Sequence, residues 1–481
     1  MTASAEDLRS RLRGIVGPDA LLNTAADCAP YLSDHRGLFQ GRALAVVRPA
    51  SVAEVSQVLA ACDAARVGVV PHGGNTSYCG GATPDDSGRQ VVLSLARLNR
   101  IRKLDAANDS LIAEAGCVLA QVQAAAQSAE RLFPLSLGSE GSCQIGGNLA
   151  TNAGGTSVLR YGMMRELVLG LEVVLADGRV LEALSGLRKD NTGYDVKALF
   201  LGAEGTLGVI TAANLKLFPK IRASATALIA VPDVGAAVAL LHRVRDGAGS
   251  ERVSSFELMP RSALELALRH IEGVRDPFQA PHPWYVLCEL TSARAADELG
   301  GMLEQALGAG LARGEVRDAA LAASERERAQ FWRLREHIPE AQRREGASLK
   351  HDIAVPVGRL AEFSAQAGAW VGAHVPEGRL IAYGHAGDGN LHFNISALPG
   401  VDAARFLARA AEVRRVIHDL VAACGGSFSA EHGIGQLKVG ELERYTSPVE
   451  LALMRAIKQA LDPHNTMNPG KVLRAAPQVR G

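Results

Sequence analysis

A chain of 481 residues is too long for one simple core, so two or three domains are expected. Hydrophobic residues make up 47% of it, enough to bury large cores. Lys plus Arg and Asp plus Glu each number 51, and with this zero net charge and only 4% aromatics nothing points to nucleic acid or an anionic membrane as partner.

Leu8, Leu12 and Ile15 recur at helical spacing and stop at Gly17-Pro18, predicting a short first helix. Residues 1–14 hold Glu6 and Asp7 and no apolar run, so no signal peptide is expected. Residues 43–48 read as a strand, 51–65 as a helix capped by Ser51 with Glu54 three residues on, and 67–71 as a second strand. A glycine-rich loop then runs over 71–81. Missing Cβ atoms let successive N–H groups converge on an anion, and Thr76 and Ser77 add hydroxyl donors, the chemistry of a pyrophosphate cradle. By itself the loop is equally a flexible surface connection. It matches neither Gly-x-Gly-x-x-Gly nor the P-loop pattern.

Residues 137–155 contain six glycines and many small polar groups. They are expected to wrap closely around a flat polar ligand and not to form a packed helix. Strands over 168–175 and 180–183 meet at the Asp177-Gly178 turn. Beyond residue 220 strands are predicted at 225–231 and 284–290 and helices at 234–245 and 295–307, fitting a cap built on an antiparallel sheet. The most apolar window, 225–241, is broken by Pro232 and Asp233 and is no membrane span. A charge-rich helix over 324–344 should kink or end at Pro339. Lys350 and Asp352 are expected on one face of a strand over 348–355. Seven dispersed cysteines with no Cys-x-x-Cys fit reduced thiols in a cytoplasmic compartment and exclude an iron–sulfur cluster of the usual spacing.

Asp388-Gly389 predicts a two-residue hairpin turn. Counting outward sets His385 opposite His392, Cβ atoms roughly 4.5–5.5 Å apart, with Asn394 on the same face. Such a pair is often ordinary sheet surface. It also suits one metal ion, with Glu431 as a third, anionic ligand and His432 left as a base. Three protein ligands and an open position describe a catalytic site, and zinc suits this set, manganese and iron remaining open.

The blocks at 71–81, 141–155, 160–162, 170–178, 188–195 and 202–210, with 385–394, 431–435 and 468–471, resemble vanillyl-alcohol-oxidase-type FAD-linked oxidoreductases. Within that family the resemblance is to the D-2-hydroxyglutarate dehydrogenase branch, with D-lactate and glycolate dehydrogenases nearby. It implies an α+β fold: a two-subdomain FAD-binding domain over 1–219, an antiparallel-sheet cap with helices over 220–425, and a segment over 426–481 returning to the FAD domain. It further implies that FAD sits on Pro71, Gly73, Gly74, Asn75, Thr76 and Ser77, and on Gly138, Ser142, Gly146, Gly147, Asn148, Thr151, Asn152 and Gly155. Gly205, Ile210 and Asn468 complete the implied contacts. Some relatives tether flavin through a histidine after the paired glycines; Asn75 stands there, so dissociable FAD is expected. His72 is read as structural.

Arg335 and Lys350 would hold substrate carboxylates by the same resemblance, with Asn394 beside them; on sequence alone Arg335 reads as a solvated helix face. The branch carries a threonine where this chain has Pro339, which puts a second carboxylate in question. The implied activity is oxidation of a D-2-hydroxy acid, D-2-hydroxyglutarate foremost, with His432 taking the hydroxyl proton. Electrons would pass to an external acceptor such as an electron-transfer flavoprotein or a quinone. A homodimer is left open. Competing readings are a non-haem iron oxygenase, which needs no glycine-rich front half, and a non-redox ether-lipid-type FAD transferase.

Overall fold

The structure is a computed structural model that describes residues 5–474. The chain divides into two compact units: one holds the chain up to Gly154, Met163–Lys220 and the chain from Glu431 on; the other holds Gly155–Gly162 and Ile221–Ala430.

In the first unit, strand Leu21–Leu22 runs antiparallel to Ala45–Val47, which continues in parallel through Val91–Ser94 to Val69–His72. Helices Ala5–Val16 and Val52–Ala65 pack against this sheet. The predicted cap is present: Ser51 Oγ accepts from Glu54 N–H at 3.2 Å, and Glu54 accepts in return from Ala50 N–H at 2.8 Å. Val55, Val58, Leu59 and Cys62 form its buried stripe, as their spacing requires. A five-stranded antiparallel sheet follows, in the order Ile101–Asp105, Ser110–Glu114, Val209–Lys216, Val168–Val174 and Val180–Ala183. The last two strands are joined at Gly178, whose φ of 88° explains the glycine.

Residues 137–155 depart from expectation, since Ile145–Ala150 is a short helix with Ile145, Gly146, Asn148 and Leu149 buried. Its glycines permit close approach. A Cβ on Gly146 would lie 2.7 Å from that of Ala115, and one on Gly74 would lie 2.3 Å from the Ser142 carbonyl oxygen.

The second unit has a four-stranded antiparallel sheet in the order Val253–Pro260, Trp284–Ser292, Ala223–Val231 and Asp318–Leu321. Helices Val234–Ala248 and Leu299–Ala312 share one hydrophobic cluster with it, while Arg261–His270, Glu325–Glu336 and Ile338–Glu345 share another. The helix expected from residue 295 starts later because Asp297 is tied down by Ser292 Oγ (2.7 Å) and Arg252 Nε (3.1 Å). The long charged helix breaks at His337, with Pro339 in the first turn of the next one. Gly155–Gly162, expected with the FAD domain, belongs to this unit: Arg160 donates to the Thr291 carbonyl at 2.6 Å and Ser255 Oγ to that of Thr156 at 2.7 Å. A second antiparallel sheet pairs Asn390–Ala397 with Gly378–Tyr383 on one side and with Ser348–Leu349 and Asp352–Ala354 on the other.

Candidate active site

The hairpin of the second unit does not turn on two residues. Tyr383, not His385, lies opposite His392, and Ile381 lies opposite Asn394. Six residues, 384–389, connect the strands. Gly384, at φ 152°, leaves the ladder and exchanges main-chain hydrogen bonds with Leu258 of the neighbouring sheet at 2.8 and 3.0 Å. A Cβ there would stand 2.7 Å from the Asn390 carbonyl oxygen. The His385 carbonyl then accepts from Asp388 and Asn390 N–H, both at 3.2 Å, closing the loop. Even with this slip of register the His385 and His392 rings meet edge to face, centroids 5.7 Å apart.

The Leu258–Gly384 bridge also sets Glu257 opposite His385, a partner that sequence patterns did not expose. Glu257 is 1% exposed; its Oε1 lies 2.8 Å from His385 Nδ1, and its Oε2 accepts from Arg335 at 2.8 Å. Burial alone would raise this carboxyl, but the charges and hydrogen bonds of His385 and Arg335 outweigh it and bring it down to about 2. Glu257 is therefore ionised, accepts only, and fixes Nδ1 of His385 as a donor. Arg335 is not on a solvated face. It is 5% exposed, with its guanidinium 4.9 Å from the Tyr383 ring centroid.

The strand expected over 348–355 is interrupted at Lys350 and His351, so Lys350 and Asp352 do not share a strand face. Lys350 is exposed and Asp352 buried. The interruption arises where His351 N–H turns to Asn394 Oδ1 (3.2 Å). Asn394 Nδ2 donates to Gln342 at 3.0 Å, so its amide braces the sheet from both ends. Asp352 stands opposite His392, and the two offer ligand atoms within 4.8 Å of each other, a group that His385 does not join. Asn390 holds the Asp352 carboxylate at 3.0 Å. The Asp352 carbonyl accepts from Ala430 N–H at 3.4 Å, and Glu431 is the next residue along the chain.

In the first unit, Glu431 and His432 likewise offer ligand atoms within 4.8 Å of one another. The His432 ring meets that of Tyr78 at 4.6 Å, edge to face. The glycines after it are required by close docking: at Gly435, φ 50°, a Cβ would lie 2.1 Å from the Cys79 carbonyl oxygen. Glu204 anchors this loop, accepting from Ile434 and Gly435 N–H at 2.7 and 2.8 Å. Asn468 Nδ2 donates to the carbonyls of Gly81 (2.9 Å) and Glu204 (2.8 Å), drawing three chain segments together.

The main-chain N–H groups of Gly74, Asn75, Thr76 and Ser77 donate no hydrogen bond among the described residues. Asn75, at φ 52°, spends its side chain on the Ser33 carbonyl at 2.8 Å. Gln144 Oε1 and Asn468 Oδ1 are buried without hydrogen-bond partners among the described residues. A Cβ on Gly147 would meet nothing within 4 Å. Unpaired donors in a row with orphaned acceptors beside them fit a ligand carrying both an anionic diphosphate and polar ring and hydroxyl groups. Other expected contacts serve the fold itself. Thr151 Oγ1 donates to the Gly147 carbonyl (2.9 Å), Asn152 Oδ1 accepts from Arg165 N–H (2.8 Å), and Gly205 lets Pro71 approach to 3.0 Å of a Cβ position. Gly155 falls in the other unit and Ile210 is buried in its strand. His72 is buried against Tyr31, ring centroids 5.1 Å apart, and burial pushes its imidazole down to about 4.

The family model described as "FAD linked oxidases, C-terminal domain" matches residues 220–472, more than half of the chain, and that described as "FAD binding domain" matches 43–184. The chain belongs to the FAD-linked oxidase family. This FAD-linked oxidase is 38% identical over 465 residues to a probable mitochondrial D-2-hydroxyglutarate dehydrogenase of Oryza sativa subsp. indica, covering 96% of this chain and 81% of the relative. It is also 38% identical to the D-2-hydroxyglutarate dehydrogenases of Bos taurus (98% and 84% covered) and Xanthomonas citri pv. viticola (93% and 93%). Among solved structures, p-cresol methylhydroxylase with substrate bound aligns at TM-score 0.77 and 18% identity, covering 98% of this chain and 97% of that one. Alkyldihydroxyacetonephosphate synthase aligns at 0.74 and 17%, covering 97% and 86%. These two show the shared fold. The expected α+β architecture, an FAD-binding domain followed by an antiparallel-sheet cap, is the one this FAD-dependent oxidoreductase has.

Proposed function

We propose that this FAD-linked oxidase is a D-2-hydroxy acid dehydrogenase, with D-2-hydroxyglutarate as the foremost substrate and the 2-oxo acid as product. The observation that carries the reading is near full-length similarity to D-2-hydroxyglutarate dehydrogenases, in a chain whose cap buries an arginine among histidines and carboxylates. D-Lactate and glycolate stand behind it as smaller acids of the same class.

Gly74 to Ser77 and the helix start at Gly146 and Gly147 would hold the FAD diphosphate, with Gln144 and Asn468 accepting from its polar groups. Bound FAD supplies the two-electron acceptor for the hydrogen on the alcohol carbon. A divalent cation, for which zinc is proposed, would supply Lewis acidity at the hydroxyl. Its ligands in this reading are His385, His392 and Glu431, with Asp352 beside His392. Imidazole and carboxylate donors together suit such an ion.

His432 takes the hydroxyl proton on its imidazole, whose class titrates near neutral pH. Arg335 and Lys350 hold carboxylate, and Asn394 keeps the strand bearing His392 in place. Electrons leave to an external acceptor, an electron-transfer flavoprotein or a quinone. The test is anaerobic bleaching of the flavin by a panel of D- and L-2-hydroxy acids. The D-series should reduce it, D-2-hydroxyglutarate fastest. A preparation that no D-2-hydroxy acid bleaches would end the proposal and turn attention to non-redox transfer.

A further inference from the structure

We infer that Glu257 is a positioning residue for the metal: it fixes His385 as a ligand by holding its Nδ1, and keeps Arg335 in place from its other oxygen. This deepens the metal reading above and rests on it. The geometry is set by the backbone. Leu258 and Gly384 form an antiparallel bridge, so the residues flanking it, Glu257 and His385, face each other across it. Glu257 Oε1 reaches His385 Nδ1 at 2.8 Å, and Oε2 receives both Nε and Nη2 of Arg335 at 2.8 Å.

A carboxylate cannot donate, so Nδ1 carries the hydrogen, and in the neutral ring the lone pair that would take a cation is on Nε2. Metal-ligating histidines characteristically donate their second nitrogen to a carboxylate, which orients the ring and raises its basicity. Glu257 differs from an ordinary buried counterion in serving two cations at once. Arg335 alone would need only one of its oxygens. The other is spent on His385, and both carboxylate oxygens lie in a site nearly closed to water.

The test is zinc affinity of the FAD-loaded full chain, measured by competition with a chromogenic chelator, with FAD content and melting temperature as controls for folding. Wild type, E257Q, R335M and the double variant E257Q/R335M are compared. The double variant leaves no buried guanidinium unpaired, so it keeps the test alive if E257Q alone does not fold. E257Q relative to wild type, or the double variant relative to R335M, should lose zinc affinity by about 10–100-fold, while R335M retains it. Unchanged affinity in both comparisons would leave Glu257 as the counterion of Arg335 only and overturn the inference. Equal loss in R335M would overturn it as well. A wild-type chain that binds no zinc fails at the reference measurement, which sinks the metal reading itself and is thereby told apart from failure of Glu257.

Discussion

Glu204 holds the N–H of Gly435 at 2.8 Å, and that of Ile434 at 2.7 Å, from 231 and 230 residues away in sequence. One carboxylate thereby fixes the loop that follows His432 against the glycine-rich loop, where Gly435 packs on Cys79. Burial pushes this carboxyl up while the two N–H groups pull it back down, and each bond contributes roughly 0.5–1.5 kcal/mol. Glu204→Gln retains one acceptor and replaces the other, which takes one of the two N–H bonds, by an amide that can only donate. It should lower the melting temperature measurably and reduce kcat by at least about tenfold, the equivalent of ~1.4 kcal/mol. Thermal melting and steady-state kinetics on the same preparation check both.

His432→Ala removes the proposed base and its ring contact with Tyr78 but leaves the residues of the diphosphate cradle, Gly74 to Ser77, unchanged. FAD content should stay at the wild-type level while the rate of anaerobic flavin reduction falls by about 10²–10⁴-fold. Stopped-flow absorbance at the flavin band reads it out. A rate equal to wild type would exclude His432 from proton transfer.

Chelation should abolish turnover, and added zinc should restore it. Asp352→Asn keeps the bond to Asn390 but weakens the pair with His392. It should raise the zinc concentration needed for half-maximal reactivation. Activity that survives exhaustive dialysis against chelator in a metal-free sample would defeat the Lewis-acid proposal.

His72 predicts a pH effect on stability. Burial lowers its imidazole from 6.5 to about 4, outweighing the opposing interaction with the Gly73 backbone. The unfolded chain therefore binds a proton that the folded chain refuses. The contribution is complete above pH 6.5 and is lost as pH falls through the window from 6.5 to about 4. Its ceiling is on the order of 3 kcal/mol. His72→Leu should flatten that part of the curve. Urea midpoints at pH 7 and pH 5 for the two proteins measure the difference, and parallel losses would count against it.

Local signals in the sequence carried far. Ser51 and Glu54 marked a helix start because a cap is satisfied within four residues. Asp177-Gly178 marked a hairpin because its turn geometry demands it. Asp388-Gly389 gave the same signal and misled, since Gly384 is drawn out of the ladder by Leu258, more than a hundred residues earlier. The helix over Ile145–Ala150 was hidden because glycine content argues against a helix unless a neighbour such as Ala115 needs the space. Arg335 looked like solvent-facing charge for a similar reason: its partner Glu257 lies on a strand 78 residues earlier, and no periodicity within the helix records it. Glu204, among glycines already assigned to the flavin, carried no signal of its own for anchoring residues 434 and 435.

The clamp of Glu204 on the loop beyond His432 also says where this enzyme can be re-engineered. His432 is anchored by flavin-unit backbone that tolerates no side chain at Gly435. Arg335 and Lys350 sit on cap elements with their own hydrophobic cluster or on the surface. Libraries aimed at a new acid therefore belong in residues 331–350, where shape can vary while the proton-transfer loop stays as it is.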